Sequence, residues 1–334
     1  MSFLFNRNKL KTPQEVVFTL NELIWRPDLK SDPKVLDEVH RLLFQARTIA
    51  QGEIDSQPDP DQMSAMSREI YANNILVPLT DNMALLTFEG KRDLAILYTF
   101  LLQRQSGNHS PTCEYILSRP IIIEMLINAA GVKDTHRNAN QIICEFAKQE
   151  SLVAYILSSP PFWQFFQYCM DPVFELACDC FMTMSKFLSP SSRLTSSFLR
   201  KNGVRFQAEA NRLMQSSNYV VLRQAIRLQA SLINHRKNKE YISLYVNDLE
   251  NLKLVMRLMC GHAKTIHYEA FHLFKVFAAN PQKPQAIFEV LVRNKTRLLR
   301  ILEEYKSFDR RDDDLFKQEL AYVVQRITDL SKEP

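Results

Sequence analysis

YILSRP at residues 115–120 recurs as YILSSP at residues 155–160, which lies 40 residues further along the chain. Looser versions of the motif follow as FLRKN (198–202), YVNDL (245–249) and LVRNK (291–295). Successive copies are 40 to 47 residues apart. A fixed period of this length is typical of units of two or three helices that stack on one another.

A small residue accompanies each copy, in a helical segment that precedes the motif. These residues are Ala95, Ala139, Ala177, Ala225 and Ala270. An alanine lets one helix approach its neighbour closely, so the five positions predict contacts between successive repeats. We therefore predict an all-α fold, an armadillo/HEAT-like α-solenoid of stacked helical repeats from about residue 70 onward. Such an array is expected to present a concave surface that binds an extended partner.

The composition excludes several classes of protein. Only 6 of the 334 residues are glycine, which leaves little room for phosphate-binding loops or nucleophile elbows. The 46% of hydrophobic residues is too high for a disordered chain. The longest nearly uncharged apolar run, around residues 121–130, is shorter than a membrane-spanning helix. The first residues lack the apolar core of a signal peptide, and we expect a cytoplasmic protein.

The chain is expected to form one helical-repeat domain over residues 1–334. Within it we predict an N-terminal tail at 1–11, an acidic loop at 53–61 (EIDSQPDPD) and a C-terminal capping helix at 307–334.

Helix boundaries follow from eight pairs in which a capping residue precedes a proline. The side-chain oxygen of the first residue accepts a free backbone N–H, and proline at the first helical position loses no hydrogen bond. These pairs predict helices that start near residues 13, 33, 60, 111, 160, 172, 190 and 281. Gly52, Gly131 and Gly261 are predicted to end helices in the left-handed conformation.

No catalytic residue, metal site or cofactor is predicted. FEGKRD at 88–93 lacks the glycine and the hydroxyl residue of a phosphate loop. His262, His267 and His272 are five residues apart, so a helix would turn them away from one another. The six cysteines are expected to be reduced and packed as small apolar residues.

Positive charge is concentrated in residues 201–306, which hold 18 Lys and Arg against 8 Asp and Glu. Tyr219, Arg223 and Arg227 repeat at every fourth residue and therefore share one helix face. Lys253 and Met256 share a face of a later helix. Two interpretations remain open at this point. The residues form either a solvated cationic surface or a groove for an acidic and aromatic segment.

Several stretches resemble the family of mouse protein 25, also called calcium-binding protein 39. They are LLTFEGKRDLAILYTFLLQRQSGNHSPTCEYI (85–116), NYVVLRQAIRL (218–228), ENLKLVMRLM (250–259) and YEAFHLFKVFAANPQKPQAI (268–287). The resemblance implies a non-enzymatic, armadillo-like scaffold whose concave face holds the kinase domain of a STE-class (germinal-centre) kinase or of a STRAD-like pseudokinase. It further implies a C-terminal pocket that receives a Trp-Glu-Phe motif. Despite the family's name, we identify no calcium site.

The resemblance also implies which residues contact the partners. The concave contacts are Phe174, Tyr219, Arg223 and Arg236. The tail pocket includes Lys253, Met256 and Arg293, where the family commonly has lysine in place of Arg293. Because Arg223 is expected on the surface, its replacement by alanine should change the stability by no more than about 0.5 kcal/mol.

The function we predict is allosteric activation of a protein kinase by a non-catalytic scaffold in cell polarity, morphogenesis or cytokinesis. The alternative is a helical-repeat protein that binds nucleic acid through the basic C-terminal half. The aromatic residues do not recur once per repeat beside a polar pair, as readers of one base per repeat require. The salt dependence of binding distinguishes the two functions, because binding to nucleic acid weakens steeply with ionic strength.

Overall fold

The computed structural model describes residues 12–52, 59–105, 107, 109–261, 264–305 and 314–330. Within these ranges every regular element is a helix, which confirms the predicted all-α fold. The chain divides into two compact units, Met1–Phe187 and Leu188–Pro334. None of the described helices is both long enough and apolar enough to span a bilayer.

The described part of the first unit contains eleven α-helices. They are α1 (Pro13–Ile24), α2 (Pro33–Gln51), α3 (Pro60–Ala72), α4 (Leu76–Asp81), α5 (Phe88–Gln103), α6 (Pro111–Leu117), α7 (Ile121–Ala130), α8 (His136–Phe146), α9 (Glu150–Ser158), α10 (Gln164–Tyr168) and α11 (Phe174–Phe187). Short 3₁₀ helices occupy Met83–Leu85 and Pro160–Trp163.

The described part of the second unit contains eight α-helices. They are α12 (Arg193–Leu213), α13 (Tyr219–Ile233), α14 (Lys239–Val246), α15 (Leu249–Gly261), α16 (Lys264–Ala279), α17 (Gln285–Arg293), α18 (Lys295–Tyr305) and α19 (Asp314–Asp329). A 3₁₀ turn over Arg236–Asn238 joins α13 to α14.

Within each unit, equivalent helices of successive repeats pack side by side. In the first unit α2 packs on α5, α5 on α8 and α8 on α11; in the second, α13 packs on α16 and α16 on α19. The five repeat alanines lie on helices of these two series, and each is at most 3% exposed. The sequence period therefore corresponds to a stack of buried helix contacts, and the solenoid prediction is confirmed.

Buried and half-buried polar side chains join successive repeats as well. Asn140 on α8 donates to the Cys180 sulfur on α11 at 3.5 Å, and Asn211 on α12 donates to Asn251 Oδ1 on α15 at 2.6 Å. The two residues of each pair are 40 positions apart in the sequence. These bonds satisfy polar groups that would otherwise be costly to bury, and they favour one register of the stack.

Four of the predicted helix starts, at residues 13, 33, 60 and 111, agree with the structure. Thr12, Asp32 and Asp59 each accept backbone N–H groups of the first turn. At residue 160 the chain forms a 3₁₀ helix instead of an α-helix.

Three predicted starts are early by two to four residues, because α11, α12 and α17 begin at Phe174, Arg193 and Gln285. Before α12, Ser192 is the residue that caps the helix, through Leu194 N–H at 3.2 Å. Before α17, a second proline at 284 disfavours helical geometry at residue 283. A local cap-proline pair therefore does not start a helix where a later residue competes with it.

The three glycines predicted to be left-handed differ from one another. Gly52 has a φ of 81° and follows α2 as predicted, whereas Gly131 has a φ of −89°. Gly261 ends α15 and is not among the described residues with positive φ. A Cβ at position 131 would lie 2.3 Å from Cε1 of Tyr168. Gly131 is therefore needed for the close approach of a ring, and its predicted left-handed role is wrong.

The finer domain predictions fall partly outside the described residues. The predicted tail at 1–11 and residues 53–58 of the predicted acidic loop lie outside them. Of the predicted capping helix at 307–334, residues 307–313 and 331–334 also lie outside them, and α19 is the part that is described. That the whole chain forms one domain stays a prediction.

Candidate functional site

The side chains of α13 are oriented by its N-terminal cap. Asn218 Oδ1 accepts from the backbone N–H groups of Val220 at 3.0 Å and of Val221 at 3.3 Å. The helix therefore begins at Tyr219, and the buried side of α13 includes Val221 and Ala225. The stripe predicted on the other side is partly exposed, and the side chain of Tyr219 is 48% exposed.

The polar stripe of α13 is bonded to α16, one repeat further along the chain. Arg223 Nη2 lies 3.1 Å from Glu269 Oε1, and Arg227 Nε lies 3.7 Å from the same oxygen. The hydroxyl groups of Tyr219 and Thr265 are hydrogen-bonded. We call these five residues the α13–α16 stripe.

Glu269 is the buried member of this stripe, since its side chain is only 12% exposed. A carboxylate removed from water in this way requires charged or hydrogen-bonding partners, and both arginines supply them. Because two cations share one carboxylate, the stripe keeps a net positive charge. The position of the Arg223 guanidinium is restrained, and Arg227, at 52% exposure, is the more accessible cation.

Sequence reasoning missed Glu269. Its stretch, YEAFHLFKVF, contributed to the family resemblance, but no role was attached to the acid. The signal that could have found it is the spacing of 46 residues that separates both Arg223 from Glu269 and Tyr219 from Thr265. This spacing equals one repeat of the C-terminal half.

The two remaining residues of the predicted concave face lie elsewhere. Phe174 is the first residue of α11 in the first unit, and its side chain is 57% exposed. Arg236 is exposed in the 3₁₀ turn that follows α13. The structure thus joins Tyr219 and Arg223 in one bonded surface, while Phe174 and Arg236 are exposed residues of other elements. Their common role stays a prediction.

The residues predicted for the tail pocket lie on two helices that pack together, α15 and α17. Lys253 and Met256 are partly exposed on α15, and Arg293 is the exposed last residue of α17. Lys253 Nζ donates to Glu250 Oε1 at 2.7 Å. This hydrogen bond, together with the charge of Lys253, lowers the pKa of Glu250 below its ordinary value. A ligand carboxylate would therefore compete with Glu250 for this cation.

Within the described ranges, no group of three His, Cys, Asp or Glu residues is placed to hold a metal ion. Two of the histidines considered above have other contacts. His267 stacks on Tyr305, with 5.8 Å between the ring centroids, and His272 Nδ1 lies 3.7 Å from Glu319 Oε2.

Comparison with known proteins gives the same assignment along almost the whole chain. A family model described as Mo25-like matches residues 3–331. The chain is 34% identical to Calcium-binding protein 39-like of Mus musculus over 332 residues, which cover 98% of each protein. It is 33% identical to Mo25-like protein of Schizosaccharomyces pombe, with 98% and 99% coverage. It is 32% identical to Conidiophore development protein hymA of Emericella nidulans, with 100% and 94% coverage.

Solved structures align with the chain at TM-scores below 0.5. Computationally designed armadillo repeat proteins for modular peptide recognition align with a TM-score of 0.48 and 12% identity, over 80% of this chain and 100% of that chain. An engineered protein aligns with a TM-score of 0.49 and 11% identity, over 97% of this chain and 87% of that chain.

Proposed function

Because the chain belongs to the Mo25-like family and is a Mo25-type helical scaffold, we propose that it binds and allosterically activates a protein kinase. The partner is the kinase domain of a STE-class (germinal-centre) kinase or of a STRAD-like pseudokinase. The protein contributes no catalytic group and acts in the cytoplasm. A relative named for conidiophore development supports a role in morphogenesis, and cell polarity and cytokinesis belong to the same proposal.

The observation that carries this proposal is the α13–α16 stripe. Its arginines are held by a buried carboxylate, and Tyr219 beside them exposes about half of its side chain. A partly exposed aromatic next to restrained arginines is the composition of an energetically important protein interface. Because the side chains are already ordered by bonds between repeats, binding a partner costs less conformational entropy.

Activation then follows from the preference of a rigid surface for one state of the kinase. A kinase domain with a mobile regulatory helix populates its closed, active form only in part. A surface that binds the closed form 100-fold more tightly than the open form shifts that equilibrium by about 2.7 kcal/mol. No chemistry on the scaffold is needed for this effect.

The test is a kinase assay with a purified STE-class kinase domain from the same organism, with and without this protein. We expect Arg227→Ala and Tyr219→Ala to weaken binding and to reduce activation. Gln224→Ala is the control, since Gln224 is an exposed residue of the same helix that lies outside the stripe. Activation that is equal in all variants would remove the stripe from the proposal. The proposed kinase partner would be ruled out if the wild-type protein did not activate the kinase and no kinase were recovered with it from the organism's extract.

We also propose that the surface formed by Lys253, Met256 and Arg293 receives a C-terminal Trp-Glu-Phe-like segment of the pseudokinase. Two cations beside an apolar side chain suit a peptide in which a carboxylate lies between two aromatic rings. The packing of α15 on α17 supports this site.

A further inference from the structure

A cavity in the second unit lies outside the surfaces described so far. It has a volume of about 320 Å³ and is bounded by the first half of α12, by the 3₁₀ turn and by the start of α14. This volume is within the size range of pockets that bind small ligands. Its walls carry three cations and two serine hydroxyl groups, from Arg193, Arg200, Lys237, Ser196 and Ser197.

The wall on α12 has an unusual sequence pattern. Arg193, Ser196, Ser197 and Arg200 follow the spacing i, i+3, i+4, i+7, which places all four on one side of the helix. This spacing is the one that normally buries apolar residues against a neighbouring helix. Here every position is polar, so this side of α12 faces a polar cavity and not the core.

The charge of the cavity is positive and largely uncompensated. Glu240 is the one carboxylate among the lining residues, against the three cations. Within the described part of the chain, neither Arg193 nor Arg200 has an ion-pair partner. Lys237 Nζ donates to the Ser191 carbonyl at 2.7 Å, which positions the ammonium group and leaves further N–H groups of it available.

The floor of the cavity is held by buried hydrogen bonds. Asn238, only 3% exposed, donates to the Leu232 carbonyl at 2.9 Å. Its Oδ1 accepts from the Ser196 hydroxyl at 2.7 Å. The hydroxyl group of Tyr241, which is 2% exposed, is bonded to the Gln229 amide. The floor is therefore ordered before any ligand binds.

We propose that this cavity binds the phosphate group of a phosphorylated serine or threonine in a partner protein. A phosphate monoester carries a charge of about −1.5 to −2 and three acceptor oxygens. Two arginine forks, one ammonium group and the Ser197 hydroxyl supply donors of matching number and sign. A ligand with only one carboxylate would leave most of the positive charge of the cavity uncompensated.

That the phosphate belongs to a protein rests on the proposed scaffold function, because a scaffold recognises segments of its partners. Arg236, proposed above as a partner contact, immediately precedes Lys237 in the 3₁₀ turn. A partner protein that contacts Arg236 would therefore place part of its own polypeptide chain close to the cavity.

The experiment uses fluorescent peptide libraries and needs no kinase, so its outcome does not depend on the kinase assay. One library has phosphoserine at a central position between degenerate residues, and its twins have serine or glutamate there. Binding is measured at physiological ionic strength by fluorescence polarisation, and binding of inorganic phosphate by calorimetry. The variants are Arg193→Gln and Arg200→Gln. Lys201→Gln is the matched control, since it removes one positive charge from an exposed position of α12 outside the cavity.

We expect the phosphoserine library to bind at least about tenfold more tightly than either twin, because charge-assisted hydrogen bonds contribute differences of this size. We expect each arginine variant to lose about tenfold or more in affinity, whereas Lys201→Gln stays within about twofold. Circular dichroism and thermal unfolding establish that the variants are folded.

Three results would overturn the assignment. The first is equal affinity for the three libraries, or no binding of the phosphoserine library. The second is an equal loss in the Lys201→Gln control, which would indicate general electrostatic attraction. The third is binding of inorganic phosphate without binding of the library, which would indicate a site for the free anion.

Discussion

Arg223 on α13 and Glu269 on α16 form an ion pair between successive repeats, with 3.1 Å between Nη2 and Oε1. The side chain of Glu269 is largely buried, while that of Arg223 remains 37% exposed. One arginine thus belongs both to the packing of two repeats and to the surface proposed for the kinase. Changes at this residue affect stability as well as binding, and the two effects need separate measurements.

The pair changes the expectation that Arg223→Ala leaves the stability almost unaltered. Removal of Arg223 leaves Glu269 with Arg227 as its remaining ion-pair partner among the described residues, so we expect a loss of about 1 kcal/mol in the free energy of unfolding. A double-mutant cycle with Glu269→Gln, measured by urea unfolding, should give a coupling energy of about 0.5–1 kcal/mol. Arg227→Ala is the control and should cost less, because its contact is longer and more exposed. Additive effects of Arg223→Ala and Glu269→Gln would contradict an energetic pair.

Stability should fall in mild acid because of His40. Its Nε2 accepts from the Thr87 backbone N–H at 3.0 Å, at the start of α5, and only the neutral ring can accept this bond. Burial lowers the pKa of His40 below its ordinary value of 6.5, against the opposing effect of Asp37 and the other nearby acids.

The sign follows from the lowered pKa of the folded state. His40 contributes its full stability above the unfolded pKa of about 6.5 and loses it as the pH falls below that value. We expect the urea midpoint to decrease between pH 7.5 and 5.5, and to decrease less in His40→Gln, whose amide oxygen can accept the same bond. NMR titration gives the pKa directly. A His40 pKa above 6.5, or the same acid sensitivity in His40→Gln, would count against this account.

Gly131→Ala should destabilise the first unit. The added Cβ would lie 2.3 Å from the Tyr168 ring, so the ring or the helix end has to move, and overpacking of this kind costs about 1–3 kcal/mol. Gly261→Ala is the matched control, because among the described residues no heavy atom beyond its chain neighbours and the nearby backbone of its own helix lies within 4 Å of a Cβ built there. Thermal unfolding compares the two variants. Equal effects at both positions would mean that the close approach of Tyr168 does not constrain residue 131.

Met256→Ala should abolish binding of a peptide that ends in Trp-Glu-Phe, because truncation of a central apolar anchor costs about 2 kcal/mol or more. Binding of the kinase domain should persist, since the α13–α16 stripe is unchanged. Fluorescence polarisation with the labelled peptide gives the affinity.

Glu250→Gln is the control for this pocket, because it should not weaken binding of the peptide. It removes the carboxylate that accepts from Lys253, so the peptide affinity should stay equal or rise by up to about threefold. A strong loss of affinity in Glu250→Gln would mean that the pair of Lys253 and Glu250 forms the site. Unchanged binding by Met256→Ala, or no binding by the wild-type protein, would remove the tail pocket from the proposal.

Features that depend on neighbouring residues could be predicted from the sequence. Thr12 and Pro13 determine the start of α1 because a side-chain cap and a fixed φ act within one turn of helix. The same local reasoning predicted a start for α17 that is too early, because the proline at 284 interferes. It also predicted a left-handed Gly131, whereas glycine is needed there because the ring of Tyr168 approaches closely.

The sequence by itself determined the repeat period, the helical class and the sharing of one helix face by Tyr219, Arg223 and Arg227. All of these follow from spacings along a single helix or from one repeat to the next. The contact of Glu269 with Arg223 is evident only from the tertiary structure. The same is true of the cavity that Arg200 and Lys237 line. Such partners are 37 to 46 residues apart. Which of them meet depends on how far each helix turns and shifts on its neighbour, and that is decided by the packing of the whole core.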